Sequence, residues 1–176
     1  MMIDHKKKCI FVHVTKTGGS SIQRALNMKN YHLPASKIKE IVGKNKWNDY
    51  FKFSFVRNPW DKIVSQYHFN RDKWGLKNAT FKEYIQAWQN GKRISAHPPF
   101  NLYYIDEEID FVGRFENLQE DFNTICDKIG IERQKLPHAK KSKHKHYTEY
   151  YDEETKQIVT EKHAKDIEYF GYKFEE

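Results

Sequence analysis

The chain has 176 residues, 38% hydrophobic and 31% charged, which suits one soluble domain spanning 1–176 with a core of its own. Its net charge of +7 favours an anionic partner: nucleic acid, a membrane surface, a nucleotide or an acidic polysaccharide. No window approaches the roughly 20 apolar residues that a membrane span needs, so a spanning protein is excluded and a cytoplasmic one is expected.

In chain order, the basic start MMIDHKKK precedes CIFVHV, an apolar run too short for a secretory signal. Cys9–Val14 reads as a strand, Thr15–Gly19 as a turn and Ser20–Asn27 as a helix. Ser36–Val42 reads as a second helix and Phe51–Val56 as a second strand. Asn58 then offers an N-cap with Pro59 at the first helical position, opening a helix to about Arg71. Thr80 with Glu83 forms a capping box for a helix to about Asn90. Asp110–Gly113 reads as a third strand. Asn117 with Glu120 reads as another box, opening a helix that Gly130 stops. Glu132–Tyr147 is a basic, His-rich loop, and Asp152–Phe170 reads as one long helix ended by Gly171. Strands alternating with helices predict an α/β domain with a central, mainly parallel sheet flanked by helices in three layers. Such sheets bind ligands at the carboxyl ends of their strands. Cys9 and Cys126 read as buried free thiols, and no residues have metal-ligand spacing.

The segment FVHVTKTGGSSIQRAL runs a strand into Lys16, Thr17, Gly18, Gly19, Ser20 and Ser21, and then a helix. Two glycines let backbone approach a ligand, and N–H groups at a helix start attract an anion. Thr17, Ser20 and Ser21 add hydroxyls, and Lys16 adds a charge. The result is P-loop-like but not a P-loop, which needs its Lys after the last Gly. An ordinary glycine turn is the plain alternative. The segment FKFSFVRNPWDKIVSQYHF repeats the architecture. Arg57 ends its strand and can offer a planar fork to a phosphate, and Ser65 lies two helical turns on. A sheet-edge salt bridge and a surface serine are the plain readings of these two.

Taken together, the two motifs resemble the PAPS-dependent sulfotransferases, and most closely their carbohydrate branch. The likeness continues through FVGRFENLQEDF and YYDEETKQIVTEKHAKDIEYFGYKF, so it runs from Cys9 to Phe174. It departs at Thr15, where the family usually has Pro, and many relatives are longer. The resemblance implies transfer of the sulfuryl group of PAPS to a hydroxyl of an acceptor glycan, leaving PAP, with no metal. It implies that Lys16 stabilises the departing phosphate, that Thr17, Gly18, Gly19, Ser20 and Ser21 hold the 5′-phosphate, and that Arg57 and Ser65 hold the 3′-phosphate. A late loop closes over the cofactor in relatives, which would put Ser142, Lys143 or His146 near the nucleotide and Tyr147 near the adenine.

The acceptor hydroxyl must lose a proton. His32 is the first candidate base, His13 the second, and His68 could touch substrate; each could equally be a packing or surface residue. Arg114 and Glu116 read as structural. Trp60, Trp74, Trp88 and Tyr67 could form a sugar platform or simply pack, and Arg71, Lys73 and His97 could line an acceptor groove. Two rival readings fit these residues less well. A P-loop-like nucleotide kinase lacks its Walker Lys and a magnesium-binding acid. A basic nucleic-acid-binding module would not explain two ordered phosphate sites.

Overall fold

The structure, a computed structural model, describes residues 2–29, 31–137 and 145–175. The chain divides into two compact units. The first comprises Met1–Arg57 with Asn101–Lys141; the second comprises Asn58–Phe100 with Ser142–Glu176.

The first unit carries a four-stranded sheet in the order β1 (Ile3–Asp4), β2 (Cys9–Val12), β3 (Phe51–Val56), β4 (Phe111–Arg114). The β1–β2 pair is antiparallel, and β2–β3 and β3–β4 are parallel. The sheet is therefore mainly parallel, as the alternation of strands and helices requires, and the fold is α/β. Every residue of β2 is buried, which is the pattern of a strand covered on both faces. Phe11 stacks on Phe53 with ring centroids 5.1 Å apart, so the aromatic surplus supplies core. Gly113 is needed for this packing: a Cβ there would lie 2.5 Å from the Phe55 ring.

Helices α1 (Gly19–Leu26), α2 (Ala35–Val42), α3 (Lys44–Asp49) and α6 (Leu118–Lys128) complete this unit. Two short elements, β1 and α3, escape sequence reading. Strand β1 is two residues long, held by a turn in which Asp4 accepts from the N–H groups of Lys6 and Lys7. Helix α3 buries only Trp47 and so has no periodic apolar face. The expected Asn117–Glu120 box does not form. Asn117 makes no side-chain cap, and Asp121 accepts instead from the Arg114 N–H at 2.6 Å. Cys9 and Cys126 are buried free thiols, and desolvation raises the Cys9 thiol to about 11.

The second unit contains α4 (Pro59–Asn70), α5 (Phe81–Gln89), α7 (Glu153–Lys162) and α8 (Ala164–Phe170). Asn58 caps α4 by accepting from Trp60 and Asp61, and the Thr80–Glu83 box opens α5. The long C-terminal helix expected from Asp152 to Phe170 is broken in two at His163. That residue sits at φ −104°, ψ 13°, where it closes α7 and opens α8. Its imidazole and the Asp166 carboxylate, 3.3 Å apart, are both buried. Burying polar groups is costly unless they are hydrogen-bonded, and the contact between Nδ1 and the carboxylate supplies one such bond. No helix among the described residues is long and apolar enough to cross a membrane.

Candidate functional site

The site is built at the carboxyl ends of β2 and β3. The register pairs Val12 with Ser54, and the Ser54 hydroxyl donates to the Val12 carbonyl at 2.7 Å. The chain segments leaving these strands therefore start side by side.

After β2, Val14 and Thr15 lead into a tight loop. Lys16 has φ 63° and Gly18 φ 78°. A left-handed lysine costs on the order of 1–2 kcal/mol, the kind of strain found at functional turns. Thr17 is fully buried and its hydroxyl donates to the Val14 carbonyl at 2.9 Å. The loop is thereby pinned from inside. This corrects one expectation: the donor that Thr17 can turn towards an anion is its backbone N–H, because its hydroxyl proton is engaged.

Gly18 is the N-cap of α1, which has no side-chain cap and no acidic residue in its first turn. Positive potential at the helix start is thus left unopposed locally. Gly18 is required by its left-handed backbone and Gly19 by space. A Cβ on Gly18 would lie 2.7 Å from Leu118, and one on Gly19 would lie 1.8 Å from Nε2 of His13. Ser20 and Ser21 are half-buried in the first turn of the helix.

After β3, Arg57 turns back onto the loop. Its Nη1 donates to the Lys16 carbonyl oxygen at 3.0 Å, and its guanidinium lies 3.9 Å from the Phe115 ring centroid. Arg57 is only 7% exposed, so its fork is held rather than waving in solvent. Asn101, fully buried, donates to the Arg57 carbonyl at 3.3 Å and fixes the backbone there. Two cations, an uncapped helix start and a glycine pair therefore meet at adjacent strand ends. That donor set fits a phosphorylated, anionic ligand.

His13 and His32 meet at the same place. Their ring centroids are 4.3 Å apart, and the other side of His13 stacks on Phe11 at 5.2 Å. His32 Nδ1 lies 3.2 Å from the His13 carbonyl oxygen. A carbonyl only accepts, so Nδ1 donates there, and in the neutral ring the lone pair is then on Nε2. This tautomer suits a base. His13 is buried, as a core role requires, but β2 ends at Val12 and His13 opens the loop. Its position directly before the glycine turn was the available signal. Asn101 and Tyr104 had none. The Tyr104 phenol is raised to about 12 by burial, against a hydrogen bond with Thr15 that lowers it. Thr15 thus ties the loop through Tyr104.

Most of the remaining candidates belong to the second unit. Ser65 is buried on α4. His68 Nε2 is 2.9 Å from the Tyr150 hydroxyl. Tyr147 is 5% exposed, packs edge-on against Phe174 and donates to its carbonyl, so its ring is enclosed rather than open to an adenine. His146 is exposed, with Nδ1 2.7 Å from the Thr148 hydroxyl. Ser142 and Lys143 lie outside the described residues. Trp60 and Tyr67 are core, whereas Trp88 and His97 line a surface cavity. Arg71 lies over the Tyr67 ring, Lys73 over Phe69, and Arg93 over Trp74. Arg114 and Glu116 flank the turn from β4 to α6.

Comparison with known proteins agrees with this geometry. The model described as the sulfotransferase family matches residues 1–173. An uncharacterised protein of Archaeoglobus fulgidus is 33% identical over 102 residues, covering 56% of this chain and 83% of its own. Carbohydrate sulfotransferase 14 of Danio rerio is 26% identical over 74% of this chain and 48% of its own length. Carbohydrate sulfotransferase 9 of Homo sapiens is 26% identical over 94% of this chain and 47% of its own. The chain thus spans about half the length of these two relatives. No solved structure gives a significant match. With the family model covering nearly every residue and the anion loop at its strand ends, the chain belongs to the sulfotransferase family.

Proposed function

We propose that this chain transfers the sulfuryl group of PAPS to a hydroxyl of a carbohydrate acceptor. The observation that carries the proposal is the Arg57 guanidinium bound to the Lys16 carbonyl, which joins two anion-binding strand ends into one site. A nucleotide with phosphates at both its 5′ and 3′ positions needs such a joined pair. PAPS, when bound, supplies the sulfuryl group and a phosphate leaving group.

In this reading the N–H groups from Thr17 to Ser21, with the Ser20 and Ser21 hydroxyls, hold the 5′-phosphate. The Lys16 ammonium stabilises negative charge that develops on the leaving oxygen. Arg57 holds the 3′-phosphate with a planar fork. His32 Nε2 accepts the acceptor's hydroxyl proton. The carbohydrate acceptor is supported by the names of the two vertebrate relatives and by the chain's net charge of +7.

A thermal-shift titration tests the donor. PAP without magnesium should raise Tm, and ATP with magnesium should raise it less. Transfer of labelled sulfate from PAPS to a panel of glycans then tests the reaction. No stabilisation by PAP at millimolar concentration would overturn the proposal.

A further inference from the structure

The second unit has a cavity of about 460 Å³ that takes no part in the anion loop. Trp88 of α5 and Phe100 form its aromatic wall, and Lys92, Arg93, His97 and Lys162 add nitrogen-bearing side chains. Among the described residues that line it, none is Asp or Glu. The volume lies within the range of small-ligand sites.

The cavity is built rather than left over between loops. The Arg93 guanidinium donates to the carbonyls of Ser95 and Ala96, at 2.9 and 2.8 Å. Its Cζ also lies 5.0 Å from the Trp74 ring centroid. The Ser95 hydroxyl donates to the His97 carbonyl and accepts from the His97 N–H. Buried Tyr84 donates to the Ile94 carbonyl at 3.2 Å. The Lys162 ammonium sits 4.9 Å from the Trp88 ring centroid. Behind the wall, buried His163 touches both rings, with centroids 4.9 Å from Phe100 and 5.9 Å from Trp88. A loop held this way needs little further ordering when a ligand arrives, which favours affinity.

We propose that this cavity binds an acidic saccharide unit, a uronate or a sulfated hexose. The inference deepens the carbohydrate reading above and rests on it. Sugars present apolar C–H faces that pack on aromatic rings, and their carboxylate or sulfate groups pair with Lys and Arg. The cavity offers both kinds of partner at once, and none of its described lining residues is acidic. Its function is to hold a saccharide chain, so its loss raises KM for long acceptors and leaves kcat in place.

The test uses isothermal titration with a uronate-containing tetrasaccharide, its neutral counterpart and inorganic phosphate. The wild-type protein should bind the acidic tetrasaccharide at least tenfold more tightly than the neutral one, and phosphate should not compete at equal concentration. Trp88→Ala and Lys162→Glu should each weaken acidic tetrasaccharide binding at least fivefold. Both variants should keep the wild-type Tm increase with PAP, which also reports folding. Equal binding of acidic and neutral saccharides, or unchanged affinity in both variants, overturns the inference. So does loss of PAP stabilisation with tetrasaccharide binding retained, since the cavity would then serve the nucleotide. If PAP binds neither wild type nor variant while tetrasaccharide binding behaves as stated, the donor reading fails and this site stands.

Discussion

Nε2 of His13 occupies the space that a side chain at residue 19 would need, 1.8 Å from the position of a Cβ on Gly19. The imidazole is 3% exposed and lies between Phe11 and His32, so it cannot swing aside like the end of a flexible chain. The start of α1 and the ring of His13 are therefore fitted to each other. Gly19→Ala should destabilise the protein by about 1–3 kcal/mol, the usual cost of overpacking a fixed site. It should also abolish the PAP-induced shift. The double variant His13→Ala/Gly19→Ala should recover part of the stability, so the two changes should be strongly non-additive in urea unfolding. Additive losses would show that the close approach does not matter.

Arg57 gives a second prediction. Its guanidinium stacks on Phe115 and reaches the Lys16 carbonyl, and both interactions use a planar group. Arg57→Lys keeps the charge but loses the plane. PAP affinity by titration should fall at least about tenfold, or about 1.4 kcal/mol. Affinity for adenosine 5′-phosphosulfate, which lacks the 3′-phosphate, should change much less. Equal losses for both nucleotides would remove Arg57 from the 3′-phosphate.

Much of this was legible because local chemistry and final position coincide. Asn58 before Pro59 and Thr80 before Glu83 announce helix starts by their own hydrogen-bonding needs, Gly171 after Phe170 announces an end by its left-handed backbone, and each does so in the structure. The glycine pair announces the loop in the same way. What stayed hidden depends on residues distant in sequence. Asn117 looks like a cap, but Asp121 engages the Arg114 N–H. The apolar spacing from Asp152 to Phe170 suits one helix, and nothing local shows that the His163–Asp166 pair interrupts it. His13 follows an apolar strand by period, and only the fold sets its ring over Gly19. Asn101 binds the Arg57 carbonyl from 44 residues away and leaves no mark in any short window.

The His163 break has a pH consequence. Burial lowers the affinity of its ring for a proton, more than the Asp166 carboxylate raises it, and Lys62 and Lys162 act in the same direction as burial. The folded pKa therefore lies below the ordinary histidine value of about 6.5. Below pH 6.5 the unfolded chain takes up the proton first, so stability from this group is present above 6.5 and falls as pH drops towards the folded pKa. Urea midpoints measured from pH 7.5 to 5.0 should decline, and the decline should be shallower in His163→Gln. A parallel decline in the variant would place the titrating group elsewhere.

Lys16 and His32 separate charge stabilisation from proton transfer. If Lys16 acts on the leaving oxygen, Lys16→Ala should lower kcat at least about tenfold, since about 1.4 kcal/mol of transition-state stabilisation corresponds to that factor. The shape of the pH–rate curve should not change. His32 differs because its Nδ1 proton is directed at the His13 carbonyl, so protonation at Nε2 removes the base. Wild-type kcat should fall on the acidic side as His32 is protonated. His32→Ala should lower kcat on the order of 10²-fold or more and flatten that acidic limb. Retained activity with an unchanged limb in His32→Ala would eliminate it as base, and His13→Ala would then be the next variant to measure, with the same profile as its criterion.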